Sequence, residues 1–439
     1  MGLIWVLAWL EEQGLDNRVG GRSMERRTIQ VEEKVPFFKA IPLSLQHLFA
    51  MFGGTVLVPV LFKIDPATVL LFNGIGTLIY LAVCRGKIPA YLGSSFAFVS
   101  PVFLVLSRYS YPAALSGFVA VGLVFCLVAW LISRFGLGWI QVVFPPAAMG
   151  AIVMVIGLEL APVAAKMAGL TGAESDPHAM AISLFTLAVT VLGSVLFRGF
   201  LAIIPILVGI MSGYALATLL GHVDMTGIAS ASWFSLPTLY RPEFKLEAIL
   251  IILPAAFVTI AEHVGHLFIT ANITGRDLLK TPGLHRSLLG NGISTLLSGL
   301  LGSTPNTTYG ENIGVLAITR VFSVYVIGGA AVCSIVLSFV GKIAAFIHSI
   351  PETVMGGVSL LLFGVISASG IRILVESKVD YSQPGNLVLT ATVLTIGVSG
   401  AQVNLGPVIL KGMALATVIA ILLSLMFRLG DKKQSGSFL

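Results

Sequence analysis

The sequence predicts an all-α polytopic membrane protein, with fourteen transmembrane segments arranged as two inverted seven-span halves. Three observations predict this fold class. Only 10% of the 439 residues are charged while 56% are hydrophobic, and the mean hydropathy is +0.97. Apolar runs of about 18 to 25 residues recur along the chain, each able to cross a hydrocarbon layer ~30 Å thick. Three short residue patterns also reappear in the second half, in the same order and at a nearly constant offset.

Composition carries the first exclusions. A soluble domain has about 25% charged residues, so this chain cannot cover a water-facing surface as a soluble enzyme or a disordered polypeptide would. A transmembrane barrel would show roughly ten-residue segments of alternating polarity, which these long runs are not. The 47 glycines and 20 prolines suit helices that pack closely or break inside a membrane. Cys84, Cys126 and Cys333 lie far apart in apolar surroundings, as small buried hydrophobes, and make neither a disulfide framework nor a metal knuckle. The net charge of +6 does not single out nucleic acid as a partner, because in a membrane protein the placement of basic residues matters more than their sum.

Met1 to Leu10 is apolar but runs into Glu11 and Glu12 without a basic leader, too short to span and a poor signal peptide. Residues 1–40 read as a polar, partly basic tail in which Met24 is a second candidate start. Seven spans follow at 41–62, 66–84, 88–106, 112–133, 145–165, 179–197 and 200–219. A polar connection, 221–246, precedes seven more at 247–272, 287–301, 303–319, 321–341, 350–369, 386–404 and 408–427. The segments 88–106 and 303–319 are the least continuous as helices. With this even count, nineteen of the 26 basic residues fall on the side of the tails and seven on the other. The positive-inside rule then places both ends in the cytoplasm. An odd count would blur the asymmetry.

The repeated patterns relate the halves. Gln46-His47 in the first span is answered by Glu262-His263 in the eighth, 216 residues on. Gly93-Ser94-Ser95 is answered by Gly302-Ser303-Thr304, 209 on, and Pro145-x-x-x-Met149-Gly150 by Pro351-x-x-x-Met355-Gly356, 206 on. Seven spans is an odd number, so the second half is inverted relative to the first, an arrangement shared by many secondary transporters.

Of twenty acidic residues, Glu159, Glu262, Glu311 and Glu352 fall inside apolar segments. A charge in the bilayer core costs at least ~2.5 kcal/mol on insertion scales, so each is a functional candidate by default. Glu352 follows Pro351 at a span's start, where a carboxylate suits a helix N-terminus. Glu159 lies near the outer end of its span, within reach of the interface. Glu262 has no such simple account: it lies about 21 Å along the eighth span, near the midplane. His266, four residues on, shares its helix face, whereas His263 points about 100° away. A carboxylate and an imidazole so placed are able to relay a proton, or to form a purely structural pair. Glu-His-x-x-His is not the zincin order and has no third ligand nearby, so no metal is expected.

Glu311 sits in Gly302-Ser-Thr-Pro-Asn-Thr-Thr-Tyr-Gly-Glu-Asn-Ile-Gly314, too rich in Gly, Pro, Asn and Thr for a lipid-facing helix. Non-helical backbone at membrane depth survives only when buried in protein or lining a cavity. The stretch from Lys87 to Phe98 is similarly broken, and two interrupted segments at matching places point to a substrate site. The half-helices that follow aim their N-terminal amides at the ligand. Two carboxylates, free amides and the aromatic residues Phe96, Phe98 and Tyr309 suit a small, planar, uncharged ligand with adjacent N–H and C=O edges, such as a nucleobase. Gly74-Ile-Gly76 reads as a helix-packing pair rather than a nucleotide fingerprint.

At these residues the sequence resembles the nucleobase–cation symporter-2 (nucleobase/ascorbate transporter) family, and is most similar to its bacterial uracil permeases. The family pattern [Gln/Glu]-Asn-x-Gly-x-x-x-x-Thr-[Arg/Lys] stands as Glu311-Asn312-Ile-Gly314-Val-Leu-Ala-Ile-Thr319-Arg320, and the Gln-His motif as Gln46-His47. The resemblance runs from about Pro36 to Arg428. It implies short antiparallel strands in spans three and ten, and a homodimer. It also implies a core domain (41–134 and 247–341) and a gate domain (135–220 and 342–428), joined by the external linker 221–246, with a C-terminal tail at 429–439.

By the same resemblance, Glu262 and Glu311 bond the ring nitrogens of uracil, the backbone of Phe96 and Gly310 meets its carbonyls, and Tyr309 lines the site. His266 joins Glu262 in proton coupling. Glu at 311, in place of the Gln of purine-transporting relatives, favours uracil over xanthine. The uracil permeases carry Tyr where this chain has Phe363, which removes a hydroxyl partner expected for His266. The function implied is import of uracil with protons across the cytoplasmic membrane by alternating access, without a cofactor. Purine uptake is the nearest alternative. An anion transporter of related fold would need a basic residue at the broken helices, where the sequence has none.

Overall fold

The structure, a computed structural model, describes residues 28–171, 176–198, 200–406 and 408–436. Helices dominate it. The first half comprises α1 (Phe37–Ala50), α2 (Phe52–Phe62), α3 (Pro66–Val83), strand β1 (Leu92–Ser94), α4 (Val99–Leu106), α5 (Tyr111–Phe135), α6 (Gly138–Val143), α7 (Pro146–Met167), α8 (Pro177–Leu196) and α9 (Pro205–Leu219). A short α10 (Thr226–Ser230) lies in the connection. The second half comprises α11 (Leu246–Ile252), α12 (Ala255–Thr274), α13 (Leu284–Leu301), β2 (Asn306–Thr308), α14 (Gly310–Thr319), α15 (Val324–Ser338), α16 (Gly341–Ser349), α17 (Glu352–Glu376), α18 (Pro384–Val398), β3 (Gln402–Leu405), β4 (Val408–Lys411) and α19 (Gly412–Gly436).

Local chemistry sets many of the helix starts. Asp65 caps α3 by accepting the Ala67 amide, with Pro66 at the first helical position, and Asp176 caps α8 in the same way through His178. Proline fixes φ near the helical value and lacks the amide that would be orphaned there. Among the described residues, seven helical segments are long and apolar enough to cross a membrane. The pair α1–α2, bent by 42° at Met51, makes an eighth, and four apolar helices are shorter.

The long helices pair in matched sets. Helix α3 packs on α15 as α13 packs on α5; α7 packs on α18 as α17 packs on α8; and α8–α9 is matched by α18–α19. Two further contacts, α3–α13 and α7–α17, join the halves directly. A repeat absent from the three patterns above accompanies them. Asn73-Gly-Ile-Gly-Thr77 of α3 recurs as Asn291-Gly-Ile-Ser-Thr295 of α13, 218 residues later. Gly74 lets the Ala331 carbonyl of α15 approach, since a Cβ there would lie 2.6 Å from it, and Gly292 admits Cys126 of α5 likewise. The reading of Gly74 and Gly76 as packing residues holds.

Beyond shifted ends, such as α17 running seven residues past 369 to Glu376, the structure departs from the expected spans in three places. Residues 402–411 form an antiparallel hairpin, Gln402↔Lys411 to Leu405↔Val408, in place of the ends of two spans. Left-handed Gly400 and Gly406 stop the helix and turn the chain there. The expected span 41–62 starts four residues earlier and is two helices. Finally, the last part of the expected tail is docked. Ile29 N–H donates to the Arg320 carbonyl at 3.0 Å, Phe322 N–H to Ile29 at 2.9 Å and Val324 N–H to Val31 at 2.9 Å, while Val31 is fully buried. Ile29 and Val35 pack against Leu43, Val321 and Val326, apolar surface that a solvated tail would leave exposed. The candidate start Met24 and the short apolar stretch Met1 to Leu10 lie outside the described residues.

Candidate functional site

The two broken segments meet. Strand β1 pairs antiparallel with β2 in the register Leu92↔Thr308, Gly93↔Thr307 and Ser94↔Asn306. The ladder is extended by Ser95 N–H to the Pro305 carbonyl at 2.9 Å and Tyr309 N–H to the Tyr91 carbonyl at 3.4 Å. Each strand then turns into a helix: Phe96–Phe98 forms a 3₁₀ turn leading into α4, and Tyr309 precedes α14. Neither Ser95 nor Tyr309 supplies a side-chain cap, so the first-turn amides retain the donors that a helix start leaves without an intrahelical partner.

Helix α12 runs alongside and brings Glu262. This residue is 7% exposed, and its Oε2 has no hydrogen-bond partner among the described residues. The same is true of Oε1 of Glu311, in the first turn of α14. Glu262 lies near enough to Glu311 to feel its charge, with Ser95 and Thr307 beside it. A buried carboxylate oxygen without a donor costs about 1–3 kcal/mol or more, and both carboxylates belong to residues at the broken segments. They suit a ligand that brings N–H groups.

His266 has a definite partner, and it is not Glu262. Its Nδ1 lies 2.7 Å from the Thr308 carbonyl and 3.2 Å from the Thr308 hydroxyl. A carbonyl only accepts, so Nδ1 carries the proton, and in the neutral ring Nε2 is left as a lone pair. A Cβ on Gly310 would sit 3.4 Å from that Nε2 and 3.5 Å from the Ser369 hydroxyl. The imidazole thus ties α12 to β2 on one side and faces the start of α14 on the other. His263 turns away, as its helix position requires, into a buried chain with Ser287 (2.8 Å) and, through it, Tyr80 (2.7 Å).

The aromatic residues divide. Tyr309 and Phe96 lie nearly parallel, 15° apart with centroids separated by 6.4 Å, and Phe363 meets Phe96 edge-on at 5.8 Å. The Tyr309 hydroxyl donates to the Ser94 carbonyl at 3.0 Å. Gly93 leaves room for that ring, because a Cβ there would lie 2.5 Å from it. Phe98, expected with them, packs edge-on against Phe118 at 6.1 Å in the core and does not join the site.

The remaining motif residues serve three places. Asn312 Nδ2 donates to His47 Nδ1 at 2.8 Å, joining α14 to α1, with Gln46 buried on the same turn. Thr319 donates to the Val315 carbonyl at 2.8 Å and accepts the Val321 amide at 3.3 Å, closing the end of α14. Arg320 adopts a left-handed conformation and presents its carbonyl to Ile29. Gly314 faces open space, with nothing within 4 Å of an added Cβ; no packing reason requires glycine there.

Of the other two apolar-segment acids, Glu352 takes its expected place at a helix start, whereas Glu159, expected to reach the interface, meets another helix. Glu352 is exposed at the start of α17. Glu159 Oε2 accepts the Met413 amide at 2.6 Å, at the first turn of α19. Sequence reasoning overlooked the hydroxyls around the carboxylates. Thr259 lies one turn before Glu262 and bonds Ser95 at 3.4 Å, and Ser94 meets Thr304 at 2.6 Å. Their signal is the run of Ser and Thr at membrane depth in both broken segments.

The chain is similar to known permeases over most of its length. The Permease family model matches residues 38–406. The uracil permease of Escherichia coli K12 is 67% identical over 409 residues, 92% of this chain and 95% of that protein. That of Paenibacillus larvae is 64% identical over 93% of this chain and 99% of its own length, and that of Bacillus subtilis 46% over 91% and 94%. Among solved structures, the transmembrane domain of the cyanobacterial bicarbonate transporter BicA superposes with a TM-score of 0.62 at 15% identity, covering 90% of this chain and 99% of that one. SLC26A9 gives 0.64 at 10% identity, covering 88% and 64%. At such identities the likeness concerns the fold alone. The chain is therefore a multi-pass membrane permease, not an enzyme, and belongs to the nucleobase/ascorbate transporter family.

Proposed function

We propose that this permease imports uracil together with protons. The observation that carries the reading is the pair of buried acceptor oxygens, on Glu262 and Glu311, beside two helix starts whose amides donate. Carboxylates accept the ring N–H groups of uracil, the backbone of Phe96 and Gly310 meets its carbonyls, and Tyr309 lines the site. Relatives named uracil permease, up to 67% identical, support the substrate. Proton uptake on Glu262, assisted by His266, offsets the cost of placing two like charges together in a low-dielectric site.

The transport cycle is part of the same proposal. Residues 41–134 and 247–341 form a core domain carrying the site; 135–220 and 342–428 form a gate domain; the core moves against the gate to alternate access. The matched helix pairs support fourteen spans in two inverted halves, and the distribution of basic residues supports cytoplasmic ends in the bacterial inner membrane. A homodimer is expected from the family resemblance.

Uptake of labelled uracil into membrane vesicles, with and without an imposed proton gradient, tests the reading. Gradient-driven uptake is expected, lost in Glu262→Gln and Glu311→Ala although both variants insert. Wild-type uptake by both variants would overturn it. Competition by excess xanthine separates a purine carrier. The fold likeness to anion transporters favours no anion here, because the two broken segments, 88–98 and 302–314, carry one carboxylate, Glu311, and no cation.

A further inference from the structure

In a two-stranded ladder each strand has an outer edge, and inside a membrane those edge groups must find partners. Here one threonine hydroxyl satisfies one outward-facing residue of each strand. The Thr77 hydroxyl accepts the Leu92 amide at 2.9 Å and lies 3.5 Å from the Leu92 carbonyl, to which it donates. The Thr295 hydroxyl accepts the Asn306 amide at 3.2 Å and donates to the Asn306 carbonyl at 3.3 Å. All four residues are fully buried.

Thr77 and Thr295 are the last residues of the repeated Asn-Gly-Ile-Gly/Ser-Thr element. The one position at which the two copies differ has a steric reason. Gly76 and Ser294 face each other where α3 crosses α13, and a Cβ at Gly76 would overlap the Ser294 hydroxyl. Only one copy can carry a side chain there, and Ser294 uses it to accept the Asn306 side-chain amide at 2.8 Å. The anchored residues also correspond: Leu92 stands four before Phe96, and Asn306 four before Gly310.

We propose that Thr77 and Thr295 are positioning residues for the substrate site, each clamping the outer edge of one strand and thereby setting the amide four residues on against the ligand. The clamp rests on the site reading above. A hydroxyl does here what a third strand does in a soluble sheet, while leaving space for helices at both edges. Neither threonine touches the ligand.

Equilibrium binding of uracil to the purified full chain in detergent tests this, with transport kinetics in vesicles alongside. Thr77→Val and Thr295→Val keep the shape and remove the hydroxyl; each is expected to raise Kd and KM roughly tenfold, the scale of one orphaned buried backbone pair, with the maximal uptake rate changed less than about twofold. Thr→Ser is expected to restore binding, and Thr→Cys to fall between, so the serine and cysteine variants decide the matter if valine prevents folding. Unchanged Kd across the series, with only a lower thermal midpoint, overturns the clamp and leaves the site reading intact. Unchanged Kd in Glu262→Gln and Glu311→Ala as well would overturn that reading.

Discussion

Asn312 and His47 share a hydrogen bond of 2.8 Å between Nδ2 and Nδ1, buried between α14 and α1. An amide nitrogen only donates, so His47 accepts through Nδ1 and carries its proton on Nε2. Two motifs separated by more than 250 residues are thus one structural unit. Removing either partner leaves a buried polar group alone, at about 1–3 kcal/mol. Asn312→Ala and His47→Ala are each expected to lower the thermal midpoint in detergent, and the double variant to lose clearly less than the sum. Additive losses would show that the pair does not act together.

His266 has two separable duties, a tether to Thr308 and the proposed share in proton coupling. An asparagine places an amide donor near the position of Nδ1 but does not titrate. His266→Asn is expected to bind uracil within about threefold of the parent and to lose most of its gradient-driven accumulation. His266→Ala should lose both, because the Thr308 carbonyl also loses its donor. Binding isotherms and vesicle uptake, measured on the same preparations, check this; intact accumulation in His266→Asn removes the histidine from the coupling step.

Gly93 admits the Tyr309 ring. Gly93→Ala forces the ring or the strand to move, an overpacking that costs about 1–3 kcal/mol. Uracil binding is expected to weaken by tenfold or more, with correct insertion in the membrane. Gly314→Ala, at a position open to an added Cβ, serves as the comparison and should fold as the parent does.

Outside the membrane, the docked N-terminal segment is held partly by Glu32 and Arg276, 2.6 Å apart. The guanidinium holds the Glu32 carboxyl below its usual range, chiefly through the hydrogen bond. A depressed folded pKa gives a contribution that is full above the unfolded value and lost as pH falls through the folded one. Limited proteolysis before Val31 should therefore accelerate in acid, below about pH 4.3, and Glu32→Gln should remove that acid step. Both groups are partly exposed, so the effect is small and declines with salt.

Glu159 accepts the Met413 amide at the start of α19, which makes it a helix cap. Glu159→Ala is expected to cost about 1 kcal/mol of stability, read as a lower thermal midpoint, while Glu159→Gln recovers most of it. A loss of proton-driven uptake in the glutamine variant at unchanged stability would assign Glu159 to transport.

Much of this protein is legible without coordinates, for identifiable reasons. Apolar runs must become buried or lipid-facing helices, and Gly-, Pro- and Thr-rich stretches at the same depth cannot. That distinction located the two broken segments and Glu311; the strands within them came from the family resemblance. Glu262 stood out because its place along a helix left it no interface to reach. The hairpin at 402–411 was missed because Val403, Leu405, Ile409 and Leu410 keep the hydropathy high through a turn. The docking of Ile29 and Val31 was missed because isolated apolar residues in a polar tail look alike whether solvated or paired.

The sequence by itself determined that the chain lives in a membrane, where most of its apolar helices run and which two carboxylates fall far from the ends of apolar segments, since each follows from local transfer free energies and helical rise. Only the tertiary structure decided which groups those residues meet. His266 bonds Thr308 rather than Glu262, Phe98 leaves the site while Phe96 stays, and Thr77 and Thr295 secure strands that begin fifteen and eleven residues after them. Partners across a fold depend on the register of two strands and the crossing of two helices. Those are set by contacts between segments some two hundred residues apart, which no local pattern records.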